Sequence, residues 1–210
     1  MRGKNLFILV LLLLVVGCVG GQVASSIEYY MLDYASPIIK SSTPLNVSLR
    51  VERFSVAQLF NSNAMLYRTG SFNLTSFSND RWRVNPGDII TDSLIRDFRH
   101  AGIFRGVFSY RDTEVTRFVL EGNVTEFLAV EEKGSPKALL TIYVTLLDLK
   151  QKEITRKIVF QKMYSQSAEC NGRSPGEIAQ GLSKSMEQLS GQIISDVYQA
   201  VKSVDSAASD

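Results

Sequence analysis

Phe118-Val-Leu-Glu-Gly-Asn-Val-Thr-Glu-Phe-Leu-Ala-Val130, followed by the turn Lys133-Gly-Ser-Pro136 and by Ala138-Leu-Leu-Thr-Ile-Tyr-Val-Thr-Leu146, decides the fold. Phe118, Leu120, Gly122, Val124, Leu128 and Val130 recur with period two and read as one face of a strand, with Glu126 interrupting the series. Ala138, Leu140, Ile142, Val144 and Leu146 repeat the period beyond the turn. After Asp148 to Lys152 a third strand places Ile154, Ile158 and Phe160 inward. Three long strands with short polar turns predict an antiparallel meander, whose apolar face needs a cover.

Two helices can supply that cover. Upstream, Asn85-Pro86-Gly87-Asp88 is a helix start: Asn85 can cap a free N–H, Pro86 suits the first helical position, and Asp88 favours the positive end. Ile90, Leu94, Phe98 and Ala101 then form one stripe, and Gly102 stands where a left-handed cap is expected. Downstream, Ser174-Pro175-Gly176-Glu177 matches a capping box. Ile178, Leu182, Met186, Leu189, Ile193, Val197, Val201 and Val204 follow at helical spacing.

Farther upstream, Leu45, Val47, Leu49 and Val51 alternate with Asn46, Ser48, Arg50 and Glu52, a half-buried strand. Ile27–Tyr34 is expected as a strand with Tyr30, Leu32 and Tyr34 on one face, and Ile103–Tyr110 as another. Met65–Arg68 and Ser71–Thr75 are shorter strands joined around Thr69-Gly70. The order predicts a single α+β domain over 27–204, with a mixed, largely antiparallel twisted sheet and two amphipathic helices on one face. Residues 205–210 are expected as a disordered polar tail.

The amino terminus has a different character. Arg2 and Lys4 precede Leu6–Val16, an unbroken run of eleven apolar residues. A helix needs about 20 residues to cross a bilayer, so this run reads as a signal peptide over 1–17. Val15-Val16-Gly17-Cys18 resembles a lipobox, which marks Cys18 for acylation. Residues 18–26 form the lipidated cysteine and a tether of small and polar residues. Val19–Ser26 spans at most about 26–29 Å when extended. Val19 follows the cysteine where inner-membrane lipoproteins often carry Asp, so the expected destination is the outer membrane, facing the periplasm.

Composition narrows the chemistry. Among 210 residues, 45% are hydrophobic and 21% charged, enough to bury a core. Without Arg2 and Lys4 the basic residues equal the 21 acidic ones, which leaves no basic footprint for nucleic acid. No P-loop, nucleophile elbow or zinc-protease motif is present, and no cofactor or metal site is expected. His100, the single histidine, ends the first helix and reads as a cap. Cys170 lies between Glu169 and Asn171, which supply no positive field to activate a thiol. Arg96, Arg99, Arg105, Arg111 and Arg117 are interspersed with Asp92, Asp97, Asp112 and Glu114, the composition of a mixed solvated face. Trp82, between Arg81 and Arg83, is expected to pack under the first helix, with partner contact as its other role. Tyr29 and Tyr30, adjacent on a strand, must face opposite sides.

Taken in order, several short motifs resemble the ABC-type transport auxiliary lipoprotein family, which includes the lipoprotein of the paraquat-inducible operon. They are Cys18, Tyr29-Tyr30-Met31-Leu32, Arg53-Phe54-Ser55-Val56, Leu66-Tyr67-Arg68, Trp82 with Pro86 and Leu94, Gly102-Ile103-Phe104 with Val107, and Leu120-Glu121-Gly122. Asn85 stands where the family often has a second proline. The resemblance implies a non-enzymatic accessory of an MCE-type lipid transport system, lipid-anchored in the outer membrane. Its implied partners are an MCE-domain protein and, through it, an inner-membrane permease and ATPase, with several copies of this chain forming a ring. Tyr29, Tyr30, Arg53, Arg68 and Trp82 are the candidate partner-binding residues. The alternative is a lipid-binding shuttle or chaperone for outer-membrane lipid or lipopolysaccharide assembly, which needs an apolar cavity.

Overall fold

The alternation around Phe118 produces a strand that organises the whole sheet. The computed structural model describes residues 26–39, 43–132 and 134–207; the signal segment and Cys18 lie outside them. In chain order the elements are β1 (Glu28–Tyr30), β2 (Leu45–Val51), β3 (Ser55–Val56), β4 (Ala64–Arg68), β5 (Thr75–Trp82), α1 (Pro86–Ala101), β6 (Phe104–Ser109), β7 (Phe118–Glu132), β8 (Ser135–Asp148), α2 (Ile154–Lys157), β9 (Ile158–Glu169) and α3 (Pro175–Ser206). One edge of β7 is taken by β8, antiparallel, from Phe118↔Asp148 to Glu132↔Ser135. Its other edge is shared in turn by β2 at Phe118–Leu120, β3 at Asn123–Val124 and β4 at Ala129–Val130, all parallel. β2, β3 and β4 thus behave as one interrupted strand laid along β7. β6 continues the sheet beside β2, and β5 then β1 beside β4. The meander closes with β9 antiparallel to β8.

The expected inward faces hold with one informative break. Ala138, Leu140, Ile142, Val144 and Leu146 are all fully buried. On β7 the register passes from Val124↔Ile142 to Glu126↔Thr141, leaving Thr125 as an extra residue in a bulge. The phase therefore flips. Phe127 and Ala129 take the inward positions, while Leu128 and Val130 join a separate small cluster with Phe60. The flip turns Glu126 away from the core, where its carboxylate accepts from the Thr141 hydroxyl at 2.6 Å.

Gly122 lies where the Phe54 ring, from the link between β2 and β3, packs against β7. A Cβ there would sit 2.3 Å from a carbon of the buried Phe54 ring and 2.5 Å from the Tyr143 carbonyl oxygen. Gly122→Ala is expected to destabilise the domain by about 1–3 kcal/mol through overpacking, read as a lower urea midpoint. An unchanged midpoint would mean that Phe54 has room to move.

Other segments depart from the sequence expectation for local reasons. Ile154 and Ile158 are exposed, because 154–157 forms a single helical turn before β9 begins. On β9 the side toward α3 is mostly polar, and the Lys162 ammonium and Tyr164 hydroxyl both donate to Asp196 of α3. Ser71–Leu74 forms no strand, and the strand runs instead over Thr75–Trp82, whose mostly polar residues gave no period-two signal. β1 stops at Tyr30, although Tyr30, Leu32 and Tyr34 keep the inward phase. α3 extends to Ser206, and Asp205 accepts from the Arg117 guanidinium at 2.8 Å, so packing runs past Val204.

Both main helices form as their starts predict. The Asn85 side chain accepts from the Gly87 N–H, and Gly102 takes φ 63 at the C-cap of α1. Ser174 and Glu177 cap α3 reciprocally. Their apolar stripes pack on one face of the sheet in a single core with Leu49, Phe118, Leu120 and Leu140.

Candidate functional site

The chain after β1 leaves the sheet and crosses the helices, where a buried carboxylate holds it. Asp97 is fully buried on α1. One carboxylate oxygen accepts from the Tyr34 hydroxyl at 2.7 Å and the Ser190 hydroxyl at 2.6 Å. The other accepts from the Ser36 hydroxyl at 2.7 Å and Arg96 Nε at 2.9 Å. The Arg96 guanidinium also lies over the Tyr34 ring, 4.3 Å from its centroid. Burial, reinforced by Asp97, raises the Tyr34 hydroxyl pKa well above its ordinary value, so it donates at any working pH. Beside this centre, the Asp33 N–H donates to Ser183 of α3, and Tyr198 of α3 donates to the Thr43 carbonyl. Four donors satisfy a charge that would be costly if left bare. The sequence placed Asp97 on a solvated face. Its position just before Phe98 in the buried stripe was the available sign to the contrary.

The structure distributes the candidate partner-binding residues over separate places. Tyr29 points outward, 54% exposed, with the Arg83 guanidinium 5.1 Å from its ring centroid. Tyr30 faces the other way, packs against the core and shares its hydroxyl proton between Glu28 and Asp80. Arg53 forms a two-pronged bond to Asp88 at 2.6 and 2.8 Å, beside the start of α1. It borders an open groove of about 640 Å³ on the sheet, with Glu52, Glu121, Asn123 and Tyr143. Arg68 ends β4 at an apolar hollow of about 200 Å³ lined by Tyr67, Phe77, Ala129, Pro136 and Ile178. Across that hollow Arg173 pairs with Glu131.

Trp82 is enclosed in the core. It is 1% exposed, and its ring meets Phe127 edge-on at 4.9 Å. Its ring packs against β7. It is held there because Trp82 closes β5 beside Tyr30 of β1, immediately before α1.

Among the described residues the remaining titratable groups do not assemble a catalytic constellation. His100 is exposed in the last turn of α1. Burial raises the Cys170 thiol pKa above its ordinary value, with Glu169 and Glu177 adding to the shift, which leaves little thiolate. Among the described residues no group of three or more His, Cys, Asp or Glu could hold a metal ion. The arginines counted in the sequence have local partners: Arg96 with Asp97, Arg99 with Asp112, Arg105 with Asn46, Arg111 with Tyr110, and Arg117 with Asp148 and Asp205. Among the described residues no helix is long and apolar enough to cross a membrane.

Comparison with known proteins gives a consistent result. The model of a family described as the ABC-type transport auxiliary lipoprotein component matches residues 30–194. Among solved structures, protein XCC0632 from Xanthomonas campestris superposes with a TM-score of 0.76 at 14% identity, covering 85% of this chain and 98% of that one. An uncharacterised protein superposes with a TM-score of 0.64 at 15% identity, covering 82% and 99%. The hypothetical protein CT253 from Chlamydia trachomatis follows at 0.54 and 9% identity, covering 75% and 98%. At these identities the likeness speaks for the fold alone. No curated protein matches the chain.

Proposed function

The chain belongs to the ABC-type transport auxiliary lipoprotein component family, and from that membership we propose that it is a non-enzymatic adaptor of an MCE-type lipid transport system. Acyl chains on Cys18 hold it at the periplasmic face of the outer membrane. There several copies together dock an MCE-domain protein, whose permease and ATPase sit in the inner membrane.

The observation that carries this reading is the family match over residues 30–194 on a chain whose lipobox cysteine lies just upstream. The fold supports an adaptor over a shuttle. The space between helices and sheet is filled by Leu94, Phe98, Leu140, Ile142, Leu182 and Met186, all fully buried. The apolar hollow at Arg68, about 200 Å³, falls below the roughly 300–1,000 Å³ of ordinary ligand pockets, and the larger groove beside Arg53 is open and lined by Arg50, Glu52, Glu121 and Asn123, which suits an acyl chain poorly. The hollow has room for one side chain of a partner, with Arg68 at its rim to meet a carboxylate. The Asp97 centre fits the same role, because it fastens the segment next to the anchor onto both helices. Load that peeled β1 from β5 would meet this fastening before it reached the core.

Anchoring is tested by Cys18→Ser. The variant is expected to move from the outer-membrane fraction to the soluble periplasm, with unchanged thermal unfolding, and to lose transport function as fully as a deletion does. Retention in the membrane fraction at the wild-type level would contradict the lipidation of Cys18.

A further inference from the structure

β1 sorts its side chains into two chemically different sides. On one side Glu28 and Tyr30 meet Asp80 and Trp82 of β5 in register, and the Tyr30 hydroxyl shares its one proton between the Glu28 and Asp80 carboxylates, 2.9 and 3.1 Å away. Tyr29 points to the opposite side, and Ile27 and Met31 flank the strand; Ile27, Tyr29 and Met31 are 54%, 54% and 70% exposed. Tyr29 is in register with Arg81, and Arg83 lies against the Tyr29 ring. Arg83 and the exposed Val84 share a hollow with Met31, so the patch is contiguous. Aliphatic tips, a tyrosine and two arginines, with Asp92 of α1 at the border of the Met31 hollow, form a surface that leaves apolar area uncovered.

What lies next to this patch in the chain decides its occupant. Ile27 follows directly on the segment Val19–Ser26, which extends at most about 26–29 Å from Cys18. Tyrosine and arginine suit the zone between lipid headgroups and acyl chains, where the ring is buried and the guanidinium meets phosphate. We infer that the outward side of β1, formed by Ile27, Tyr29, Met31, Arg83 and Val84, rests on the lipid surface to which the chain is anchored. This rests on the acylation of Cys18 proposed above and adds an orientation to it. The β1 end of the domain lies against the membrane, and the β4–β5 turn lies away from it by up to the length of β5, eight residues or about 26 Å. The patch also adds a contact with the lipid surface besides the acyl chains.

The test uses the acylated full chain in vesicles of phosphatidylethanolamine and phosphatidylglycerol that contain a headgroup-level nitroxide quencher. In a Cys170→Ser background, Met31→Cys is labelled with a polarity-sensitive fluorophore and compared with Phe72→Cys on the β4–β5 turn. Both positions are exposed, so neither substitution disturbs packing. Flotation with the vesicles, a blue-shifted emission at position 31 and quenching there several-fold stronger than at position 72 are expected. If the protein floats but position 31 is quenched no more than position 72, the inference is overturned and this side is open to a protein partner. If the protein does not float, the anchor at Cys18 fails and the inference falls with it.

Discussion

Asp97→Ala is expected to destabilise the domain by about 2–4 kcal/mol: its ion-pair partner Arg96 is 43% exposed, so the loss comes from the hydroxyls that lose their acceptor. Four donors from three parts of the chain converge on this carboxylate, and the alanine methyl would leave the Tyr34, Ser36 and Ser190 hydroxyls without their acceptor. Asp97→Asn keeps the shape and one acceptor oxygen, so it is expected to lose less. The loss should also be local in kind. Residues Met31–Ile39 bond to the helices chiefly through Asp97 and Ser183, so protease cleavage in that segment should appear well below the global unfolding midpoint. Urea unfolding followed by helix signal, with limited proteolysis alongside, measures both effects. Wild-type stability in Asp97→Ala would mean that the centre is not what fastens the segment.

Trp82→Ala should cost a similar amount, about 3–5 kcal/mol, through loss of buried area and a cavity beside Phe127. Trp82→Phe is expected to recover most of that loss. It restores a ring against Phe127 and removes an indole N–H that has no acceptor, a burial that costs about 1–3 kcal/mol. Because Trp82 is enclosed, the phenylalanine variant should capture partners as the wild type does. Partner capture lost at wild-type stability would return Trp82 to the docking surface.

These two residues mark what could be read from the chain. Both helices were legible because their information is local: Asn85-Pro86 and Ser174-Pro175 fix the starts, and the stripes from Ile90 and Ile178 fix the buried sides. The alternation on β8 was equally local. The sharing of one β7 edge among β2, β3 and β4 was not, because parallel pairing joins residues far apart in sequence and leaves no turn signature. β5 was missed because most of it lies beyond the short β1 at the sheet edge, where only Phe77 and Trp82 pack inward. Glu126 announced a break in phase, but only the ladder shows that Thr125 absorbs it and that Leu128 and Val130 change sides. The same limit applied to the site. Tyr29, Arg53 and Arg68 are near in the motif order yet face three different surfaces.

The most direct test of the adaptor role is affinity purification of the lipidated full chain from gently crosslinked, detergent-solubilised cells, with partners identified by mass spectrometry. The account predicts recovery of an MCE-domain protein together with its permease and ATPase. Recovery of outer-membrane assembly factors in their place, or of lipid without protein, would contradict it.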